Sequence, residues 1–559
     1  MDTVTSPSYS PILRDLLRDS RKKYKKSTAL ISQNTALTYE DVDLHVRKLA
    51  AIFQHQFGIQ KGDRIALFLP NTIQFIICAQ AGLEIGAVMV NINPLYTARE
   101  LEHVLRDAEP KIFIYLENFN QVVSEAFQEC PDLNITCIAT TVGDFHPTWK
   151  MWAIYVAQHY IMRSIPKMDP KLYQRSFWLR SLLHSFNSTH AEALDVTLTT
   201  DDLAFLQYTG GTTGVPKGAM LSHGNLGANV RQAAQWIKKY YAHPENFRIM
   251  TALPLYHIFS LTANFLAFFV LGSENVLIIN PRDMRNFLKD WRRYPVDVLC
   301  GVNTLFQGLL KYPDFKNLDT SRLKIVLGGG MAVSQKVADA WQQQTKSVII
   351  QAYGLTEASP GVCINPLDLK AFNGSIGLPI DDTEIKFRDP DGKWITNHEE
   401  RGELCVRGPQ VMKGYWKKPD ETAETISADG WLHTGDVGYQ DEKGFVYLVD
   451  RQKDLIIISG FKVYPSEIEH VLLQHPAIEE AAALGETDTD GIISITACCV
   501  VRKGFECSKS DLEQHCRHLL TGYKIPKTFL FFDQLPKSPV GKIVKRELKV
   551  LLEQRAHPS

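Results

Sequence analysis

A short segment rich in glycine and threonine offers the clearest chemistry in the sequence. It spans residues 208–218 and reads Tyr-Thr-Gly-Gly-Thr-Thr-Gly-Val-Pro-Lys-Gly. Glycine permits the backbone angles that turn successive amide N–H groups toward one point, and the hydroxyls and Lys217 add further donors. The apolar residues 203–206 before it predict a strand that carries the loop. The segment therefore predicts a phosphate-binding loop.

This loop differs from the Walker A loop of many nucleotide-binding proteins. That motif requires Gly-Lys followed by Ser or Thr, whereas here Pro216 precedes Lys217 and Gly218 follows it. A P-loop kinase or ATPase is therefore disfavoured. A flexible linker is also disfavoured, because linkers seldom lie between an apolar strand and a helix-like run.

Four further motifs contain acidic or basic side chains, and three of them also contain glycine. They are Tyr353-Gly354-Leu355-Thr356-Glu357, Gly430-Trp431-Leu432-His433-Thr434-Gly435-Asp436, Asp450-Arg451-Gln452-Lys453-Asp454 and Leu535-Pro536-Lys537-Ser538-Pro539-Val540-Gly541-Lys542-Ile543. With the glycine-rich loop, these motifs in this order resemble the acyl-adenylate-forming enzymes, which include acyl-CoA synthetases, firefly luciferase and peptide-synthetase adenylation domains. The resemblance covers residues 37–548.

Within that superfamily the sequence is most similar to the bacterial long-chain fatty acyl-CoA synthetases. Residues 374–379, 414–416 and 459–465 add to this likeness. The resemblance implies a reaction in two steps. A carboxylate attacks the α-phosphate of ATP to give an acyl-adenylate and pyrophosphate, and the thiol of coenzyme A then displaces AMP. The first step brings the negatively charged carboxylate up to the negatively charged phosphates of ATP, so it needs cations and oriented hydrogen-bond donors.

The resemblance implies which residues bind the nucleotide and act in catalysis. The expected ATP and AMP ligands are Thr209, Gly210, Gly211, Thr212, Thr213, Gly214, Lys217, Gly329, Gly330, Tyr353, Gly354, Thr356, Asp436, Arg451 and Lys542. The expected catalytic residues are Lys542, His257, Thr356 and Glu357, and the expected Mg²⁺ ligands are Glu357 and Thr212. Tyr353 is expected to stack on adenine, Asp436 to accept from the ribose hydroxyls, and Lys542 to bridge carboxylate and phosphate.

The resemblance also implies an acyl pocket, a CoA site and a hinge. The expected acyl-pocket residues are His257, Gly301, Thr304 and Gly328, and the expected CoA-binding residues are Gly460, Phe461, Lys462 and Lys524. Lys453 stands where the family has the hinge about which its C-terminal domain rotates between the two steps. His257 either orients the carboxylate, gates thiol entry or is a structural histidine.

The sequence departs from the family pattern at several positions. Gly210 stands where many members have serine, which removes one hydroxyl but keeps the backbone donors. Leu261 stands where one long-chain member has a tryptophan gate, so no such gate is predicted. Residues 485–491 match the usual C-terminal pattern only in part, which leaves the CoA contacts there open.

Residues 149–180 combine aromatic rings with basic side chains. Asp169 is the only acid between Lys150 and Arg180, although the chain as a whole is nearly neutral. Basic-aromatic helices of this kind can lie in the interface of a bilayer. A surface helix packed on the core, with its basic side solvated, explains the pattern equally well, and both interpretations stay open.

The surrounding elements predict an α/β fold. The apolar runs at residues 63–70 and 111–115 predict buried strands, and residues 39–52 and 99–105 predict helices. This alternation over the first 120 residues is typical of a doubly wound sheet with ligand sites at the carboxyl ends of its strands. From residue 402 the pattern becomes rich in strands, and residues 441–444 predict a hairpin connection. We expect an N-terminal body of doubly wound α/β subdomains plus a β-rich subdomain over residues 1–451, and a small mobile α+β C-terminal domain over residues 452–559.

Composition excludes several classes of protein. The chain has 559 residues, 61 Lys and Arg against 62 Asp and Glu, and 45% hydrophobic residues. This balance disfavours disorder and a protein that coats nucleic acid. The ten cysteines are scattered without a CxxC, which disfavours a thiolate zinc site. No signal peptide is recognised, so a reduced, cytosolic protein is expected. Residues 251–272 are apolar but contain Pro254 and His257, which favours a buried loop and core helix over a membrane span.

The sequence therefore predicts an enzyme that activates long-chain fatty acids to acyl-CoA with ATP, CoA and Mg²⁺. An acyl-AMP ligase that supplies a carrier protein is the alternative within the superfamily. A non-catalytic membrane-surface protein on the same fold is the alternative of another class. No nucleic-acid partner is expected, relatives allow a homodimer, and residues 149–180 allow peripheral binding to the inner face of the cytoplasmic membrane.

Overall fold

The computed structural model describes residues 10–130, 132–186, 193–209, 216–451, 454, 456–458, 461–487, 493–520, 522–538 and 541–556. The strands in these residues are β1 Thr28–Ser32, β2 Thr35–Thr38, β3 Arg64–Phe68, β4 Val88–Asn91, β5 Ile112–Leu116, β6 Thr136–Thr140, β7 Ser176–Trp178, β8 Leu203–Thr209, β9 Lys217–Ser222, β10 Arg248–Thr251, β11 Glu274–Leu277, β12 Val298–Gly301, β13 Ile325–Gly328, β14 Ile349–Gly354, β15 Gly361–Ile364, β16 Leu378–Pro379, β17 Glu384–Arg388, β18 Trp394–Ile395, β19 Gly402–Arg407, β20 Leu432–Gln440, β21 Val446–Arg451, β22 Ile456–Ile458, β23 Phe461–Val463, β24 Ile478–Thr487, β25 Ile493–Val501 and β26 Thr528–Phe532.

The α-helices alternate with these strands over much of the chain. They are α1 Leu13–Lys23, α2 Tyr39–Ala51, α3 Ile73–Glu84, α4 Ala98–Ala108, α5 Asn120–Glu129, α6 Thr148–Val156, α7 Pro170–Gln174, α8 Leu179–Ser185, α9 His223–Tyr240, α10 Ala267–Leu271, α11 Met284–Arg293, α12 Asn303–Lys311, α13 Gln335–Thr345, α14 Pro419–Thr425, α15 Pro465–Gln474, α16 Lys509–Leu519 and α17 Lys545–Ala556.

The chain folds into two compact units. The first comprises residues 1–374, 379–384 and 407–432, and the second comprises residues 375–378, 385–406 and 433–559. The predicted boundary between residues 451 and 452 stays a prediction.

Two sheets form the frame of the first unit. One has the strand order β7-β6-β5-β3-β4-β8-β9, and its strands are parallel except for the antiparallel β8–β9 pair. The other contains the order β15-β14-β13-β12-β10-β11-β1-β2. Every residue of β5 is buried, as expected of a parallel strand covered on both faces. Parallel strands joined by helices end at a common edge, which is where α/β proteins place their ligands.

Capping boxes fix the beginnings of several helices in this unit. The Thr38 hydroxyl accepts from the backbone N–H of Asp41, and the Asp41 carboxylate accepts from the N–H of Thr38, at the beginning of α2. Thr97 and Glu100 repeat the arrangement at the beginning of α4. These local signals lie at the beginnings of the two segments that were predicted to be helical.

The second unit is built largely from antiparallel strands. Its strands include most of a five-stranded sheet in the order β18-β17-β19-β20-β21 and a three-stranded sheet in the order β24-β25-β26. β24 and β25 pair antiparallel from Ile478 with Val501 to Thr487 with Ile493. Helices α15 and α16 bury Ile468, Leu472 and Leu512 in the core that covers this smaller sheet.

The structure confirms the predicted α/β class. Apolar runs before Pro70 and after Lys111 form β3 and β5, and the predicted hairpin at residues 441–444 joins β20 to β21. Residues 251–272 form a mostly buried loop followed by a π-helical turn and α10. Among the described residues, no helix combines the length and the apolar character that crossing a bilayer requires.

Candidate active site

The glycine-rich loop connects two paired strands. Thr209 at the end of β8 pairs with Lys217 at the beginning of β9, so the loop between them closes a hairpin. The predicted phosphate ligands Gly210, Gly211, Thr212, Thr213 and Gly214 lie outside the described residues. Thr209 and Lys217 fix where this loop leaves and re-enters the sheet.

Tyr415 brings two predicted site residues together. Its hydroxyl donates a 2.7 Å hydrogen bond to Oε1 of Glu357, and Nζ of Lys217 lies 5.3 Å from the centroid of its ring. Burial raises the pKa of Tyr415, and the nearby Glu357 charge raises it further, so the hydroxyl remains a donor. The predicted metal-binding carboxylate therefore contacts the hydroxyl of Tyr415, and the predicted phosphate-binding cation lies over its ring.

Backbone bonds hold Tyr415 in this position. The N–H of Met412 donates to the carbonyl oxygen of Glu357 at 2.8 Å, and the N–H of Trp416 donates to the carbonyl oxygen of Gly218 at 2.8 Å. The segment around Tyr415 thus contacts both β9 and the turn that carries Glu357. Its position does not depend on the side chains alone.

The turn after β14 presents Thr356 and Glu357. Tyr353 and Gly354 end the strand, and Thr356 opens a single 3₁₀ turn, Thr356–Ala358. A Cβ added to Gly354 would lie 2.2 Å from the carbonyl oxygen of Pro360, so only glycine allows the two backbones to approach here. The glycine of this motif has a packing role that the sequence did not reveal.

The ends of β12 and β13 meet at the same edge of the sheet. Gly301 pairs with Gly328, and the N–H of Gly329 donates to the carbonyl oxygen of Gly301 at 3.2 Å. A Cβ on Gly329 would lie 2.9 Å from the ring of Phe259. The structure therefore brings together the predicted nucleotide residue Gly329 and the predicted acyl residues Gly301 and Gly328.

His257 lies on the segment that leads to this ring. Its Nδ1 accepts from the N–H of Phe259 at 3.3 Å, and the side chain is half-buried. An accepting Nδ1 places the proton of a neutral imidazole on Nε2. Thr304, the remaining predicted acyl residue, lies in the first turn of α12 and is partly exposed.

The predicted ribose residues lie in the second unit. Asp436 is 7% exposed on β20, and its N–H donates to the Thr434 hydroxyl at 3.1 Å. Its Cα pairs with that of Arg451, the last residue of β21. The backbone thus places these two predicted residues side by side on neighbouring strands.

Lys542 occupies an exposed tight turn in the second unit. The N–H of Ser538 donates to the Lys542 carbonyl oxygen at 2.7 Å, and the N–H of Lys542 donates to the Ser538 hydroxyl at 3.1 Å. Gly541, immediately before it, has a φ of 82°. The turn thus presents the predicted catalytic lysine at a defined place.

The predicted CoA residues are only partly described. Lys524 contacts both carboxylate oxygens of Glu467 at 2.7 and 2.8 Å, so it is already engaged in an ion pair. Phe461 and Lys462 lie on β23, paired with β22. Gly460 and the predicted hinge residue Lys453 lie outside the described residues.

Sequence reasoning assigned no role to Tyr415 or Phe259. Residues 414–416 supported the family resemblance, but they gave Tyr415 no role of its own. Its hydrogen bond with Glu357 joins residues 58 positions apart, and no local pattern indicates such a contact. Phe259 lies two residues after His257, and no pattern in the sequence indicated its packing on Gly329.

Comparison with known proteins finds similarity over nearly the whole chain. Residues 17–416 match the family model "AMP-binding enzyme", and residues 467–542 match "AMP-binding enzyme C-terminal domain". A long-chain-fatty-acid–CoA ligase of Escherichia coli O157:H7 is 42% identical over 98% of this chain and 96% of its own. A ligase of the same name from Bacillus subtilis is 36% identical over 97% and 95%.

A solved structure shares the fold. The crystal structure of ATP-bound MatB from Rhodopseudomonas palustris has a TM-score of 0.82 and 25% identity, and the match covers 97% of this chain and 100% of that one. The family model alone matches well over half of the chain. The protein is therefore a member of the AMP-binding enzyme family.

Proposed function

We propose that the protein is a long-chain fatty acid–CoA ligase that works through an acyl-adenylate. The observation that carries this conclusion is the 42% identity with a long-chain-fatty-acid–CoA ligase over 98% of the chain. Its substrates are a long-chain fatty acid, ATP and CoA, and its products are acyl-CoA, AMP and pyrophosphate.

The first step requires two anions to approach each other. We propose that the loop after Thr209 and the Lys217 ammonium bind the phosphates of ATP, and that Lys542 bridges the attacking carboxylate and the α-phosphate. Asp436 accepts from the ribose hydroxyls, with Arg451 beside it. Placed donors and cations act most strongly where charge develops, as in this step.

Mg²⁺ fits the residues proposed to hold it. Glu357 offers a half-buried carboxylate whose Oε1 is oriented by the Tyr415 hydroxyl, and Thr212 would add a hydroxyl oxygen. Mg²⁺ prefers such oxygen ligands and often takes only one or two from the protein. When bound, the ion neutralises charge on the phosphate oxygens.

The acyl and CoA sites complete the proposal. His257, Gly301, Thr304 and Gly328 line the acyl pocket, and the segment from Gly460 to Lys462 binds CoA. Lys524 contributes to CoA binding only if the anionic cofactor competes with Glu467 for it. Rotation of the C-terminal domain about Lys453 would present Lys542 for the first step and the Gly460 segment for the second.

Pyrophosphate release with palmitate, ATP and Mg²⁺ tests the proposal, measured with and without CoA. Sustained release that requires CoA, with palmitoyl-CoA as product, is expected. Palmitoyl-AMP that accumulates equally with and without CoA would instead identify an acyl-AMP ligase that supplies a carrier protein. If no long-chain acid supported ATP turnover, the result would instead favour a non-catalytic membrane-surface protein on the same fold.

A second proposal concerns the basic-aromatic segment. We propose that it binds the surface of an anionic membrane. None of the α6 residues is buried, and the exposed fractions of Trp149, Trp152 and Tyr160 are 74%, 57% and 68%. Exposed aromatic residues next to basic ones are typical of helices that lie in a bilayer interface.

Only part of the basic charge faces the solvent. Nζ of Lys150 bonds to the Thr35 hydroxyl at 3.0 Å, and the guanidinium groups of Arg175 and Arg180 donate to the carbonyl oxygens of Leu133 and Asp144. Arg163, Lys167 and Lys171 are exposed. Their charges complement phosphatidylserine or phosphatidylglycerol headgroups, and each basic residue near such a surface contributes about 1 kcal/mol.

Co-sedimentation with vesicles that contain phosphatidylglycerol tests the membrane proposal. Binding is expected to weaken as salt is added and to fall when both Trp149 and Trp152 are changed to Ala. Phe505→Ala, which removes a 53%-exposed aromatic ring in the second unit, is the matched control and should leave binding unchanged. Absent or salt-independent binding would favour a solvated surface helix.

A further inference from the structure

Three side chains with metal-binding atoms converge between two strands of the second unit. Glu403 and Cys405 point from the same face of β19, because they are two residues apart, and His433 lies on the neighbouring β20. The ligand atoms lie within 4.8 Å of one another. Cys405 is buried, and the side chains of Glu403 and His433 are 13% and 15% exposed.

The distances match the edges of a tetrahedral zinc site. Nδ1 of His433 lies 3.4 Å from Sγ of Cys405 and 3.1 Å from Oε2 of Glu403. Zinc bonds of about 2.3 Å to sulfur and about 2.0–2.1 Å to nitrogen or oxygen would separate tetrahedral ligands by about 3.5 Å and about 3.3 Å. The two distances from Nδ1 therefore match the tetrahedral values to within a few tenths of an ångström, and the third distance, between Sγ and the carboxylate oxygen, is at most 4.8 Å.

The three side chains are hydrogen-bonded in the metal-free protein. Nδ1 of His433 can donate to the Glu403 carboxylate at 3.1 Å while the Cys405 thiol donates to the Glu403 carbonyl oxygen at 3.7 Å. A cation among the three atoms would use the lone pairs of all three at once. Binding would release the thiol proton, because the thiolate is the form that coordinates the metal.

We propose that Glu403, Cys405 and His433 form a zinc-binding site with one open coordination position. A thiolate with an imidazole selects Zn²⁺ over Mg²⁺, whereas the proposed Mg²⁺ site at Glu357 contains only oxygen ligands. The proposal rests on this geometry and is independent of the proposed acyl-CoA ligase activity.

Occupancy of this site would act on the strand that carries Asp436. Oε1 of Glu403 accepts from the N–H of Gly435 at 3.1 Å, and the Thr434 hydroxyl donates to the Leu404 carbonyl oxygen at 2.7 Å. A metal that holds the Glu403 carboxylate would therefore also hold Gly435, the neighbour of Asp436. Zinc binding is expected to stabilise this pair of strands.

Titration of the chelator-treated full-length protein with Co²⁺ tests the site, because Co²⁺ occupies zinc sites and reports its ligands by absorption. One equivalent is expected to give a thiolate-to-cobalt charge-transfer band that Zn²⁺ abolishes by displacement. Cys405→Ser should lose the band. Glu403→Gln, which keeps the shape of the side chain, should weaken binding by about tenfold or more, since even changes to outer-shell residues cost about 10–100-fold.

Cys507→Ser is the matched control, because Cys507 lies 3.9 Å from the imidazole of His475 elsewhere in the second unit. It should retain the band and the affinity for Zn²⁺. Release of protons on Zn²⁺ binding should be lost in Cys405→Ser and kept in Cys507→Ser. A wild-type protein without the charge-transfer band, or a band that survives in Cys405→Ser, would overturn the proposal.

Discussion

At the scale of single residues, Tyr415 organises the candidate active site of the first unit. It orients the Glu357 carboxylate through its hydroxyl and contacts the Lys217 ammonium through its ring. A hydrogen bond from a neutral donor to a charged acceptor restricts the carboxylate without neutralising it. We infer that Tyr415 positions Glu357 for Mg²⁺.

Tyr415→Phe tests this positioning role, because it removes the hydroxyl and keeps the ring. A hydrogen bond to a charged group contributes about 1.5–3 kcal/mol, so we expect kcat/KM for ATP to fall about tenfold and the Mg²⁺ requirement to rise. Tyr241→Phe, which loses a 2.9 Å bond to the Lys324 carbonyl oxygen, is the control. An unchanged Mg²⁺ requirement in Tyr415→Phe would refute the role.

At the scale of elements, strand ends and short turns place the reactive side chains. The hairpin β8–β9, the turn after β14 and the ends of β12 and β13 each present a predicted site residue. These turns depend on close backbone packing, and Gly354 is the clearest case. The geometry of the site is therefore sensitive to residues that carry no functional group.

Gly354→Ala should damage both the fold and the activity. The new Cβ would meet the Pro360 carbonyl oxygen at 2.2 Å, so the turn that presents Glu357 must move. We expect a loss of about 2 kcal/mol or more in stability and a lower rate of adenylation. Thermal unfolding and pyrophosphate release measure the two effects.

Gly522→Ala provides the control for this substitution, since nothing lies within 4 Å of the added Cβ. It should change neither measurement. If Gly354→Ala had the stability and activity of the wild-type protein, the close packing at this turn would not constrain the site.

The turn after β5 carries a buried acid that predicts a pH dependence. Glu117 is 3% exposed, and burial raises its pKa to about 7, with a further contribution from the negative charge of Asp144. Oε2 lies 3.4 Å from Nε2 of His159, whose own pKa is lowered by burial. The imidazole is therefore largely neutral at the pH where Glu117 ionises.

The sign of the effect follows from proton binding. Between pH 4.5 and about 7 the folded protein keeps a proton on Glu117 that the unfolded chain releases, so stability falls as the pH rises through this range. Glu117→Gln removes the charge and should raise stability at pH 8 by up to about 3 kcal/mol, with little change near pH 4. Denaturant unfolding at both pH values measures this.

Glu129→Gln is the control for that comparison, because Glu129 is an exposed acid at the end of the neighbouring helix α5. The free energy of unfolding of Glu129→Gln should equal that of the wild-type protein at both pH values. A Glu117→Gln variant with the same pH dependence as the wild type would show that Glu117 does not ionise in this range.

At the scale of the whole molecule, a nearly neutral chain handles strongly anionic substrates. The net charge of −1 is compatible with a few placed cations, and those that we propose are Lys217 in the first unit and Lys542 in the second. Local placement replaces a global basic excess, because a few oriented charges act strongly at short range. Distributing the cations over two units also allows the two half-reactions to depend on different residues.

Lys542→Ala tests this division of labour. Because we propose that Lys542 acts only in adenylation, the variant should lose formation of palmitoyl-AMP but retain conversion of supplied palmitoyl-AMP to palmitoyl-CoA. Lys503→Ala, a change at an exposed lysine of the same unit, should retain both steps. Equal loss of both steps in Lys542→Ala would contradict a role confined to one of them.

The sequence predicted those features that local patterns determine. Apolar runs located β3, β5 and β8, and helix-like patterns located α2 and α4, because these signals act within a few residues. The family motifs marked Lys217, Glu357 and Asp436. In the structure Lys217 begins β9, Glu357 lies in the turn after β14, and Asp436 lies in the middle of β20.

Contacts between distant residues were not predictable in this way. The Tyr415–Glu357 bond joins residues 58 positions apart, and the Cys405–His433 contact joins residues 28 apart. The scattered cysteines disfavoured a thiolate metal site, since no short spacing linked them. Strand pairing brings the imidazole of His433 to Cys405, while Glu403 lies two residues before Cys405 on the same strand.

The most direct test of the central claim follows labelled palmitate through both half-reactions on one sample. The enzyme is incubated with palmitate, ATP and Mg²⁺, the products are separated, and CoA is then added. The account predicts that palmitoyl-AMP forms first and is converted to palmitoyl-CoA when CoA is present. Palmitoyl-AMP that persists after CoA is added, or palmitoyl-CoA that forms without AMP release, would contradict it.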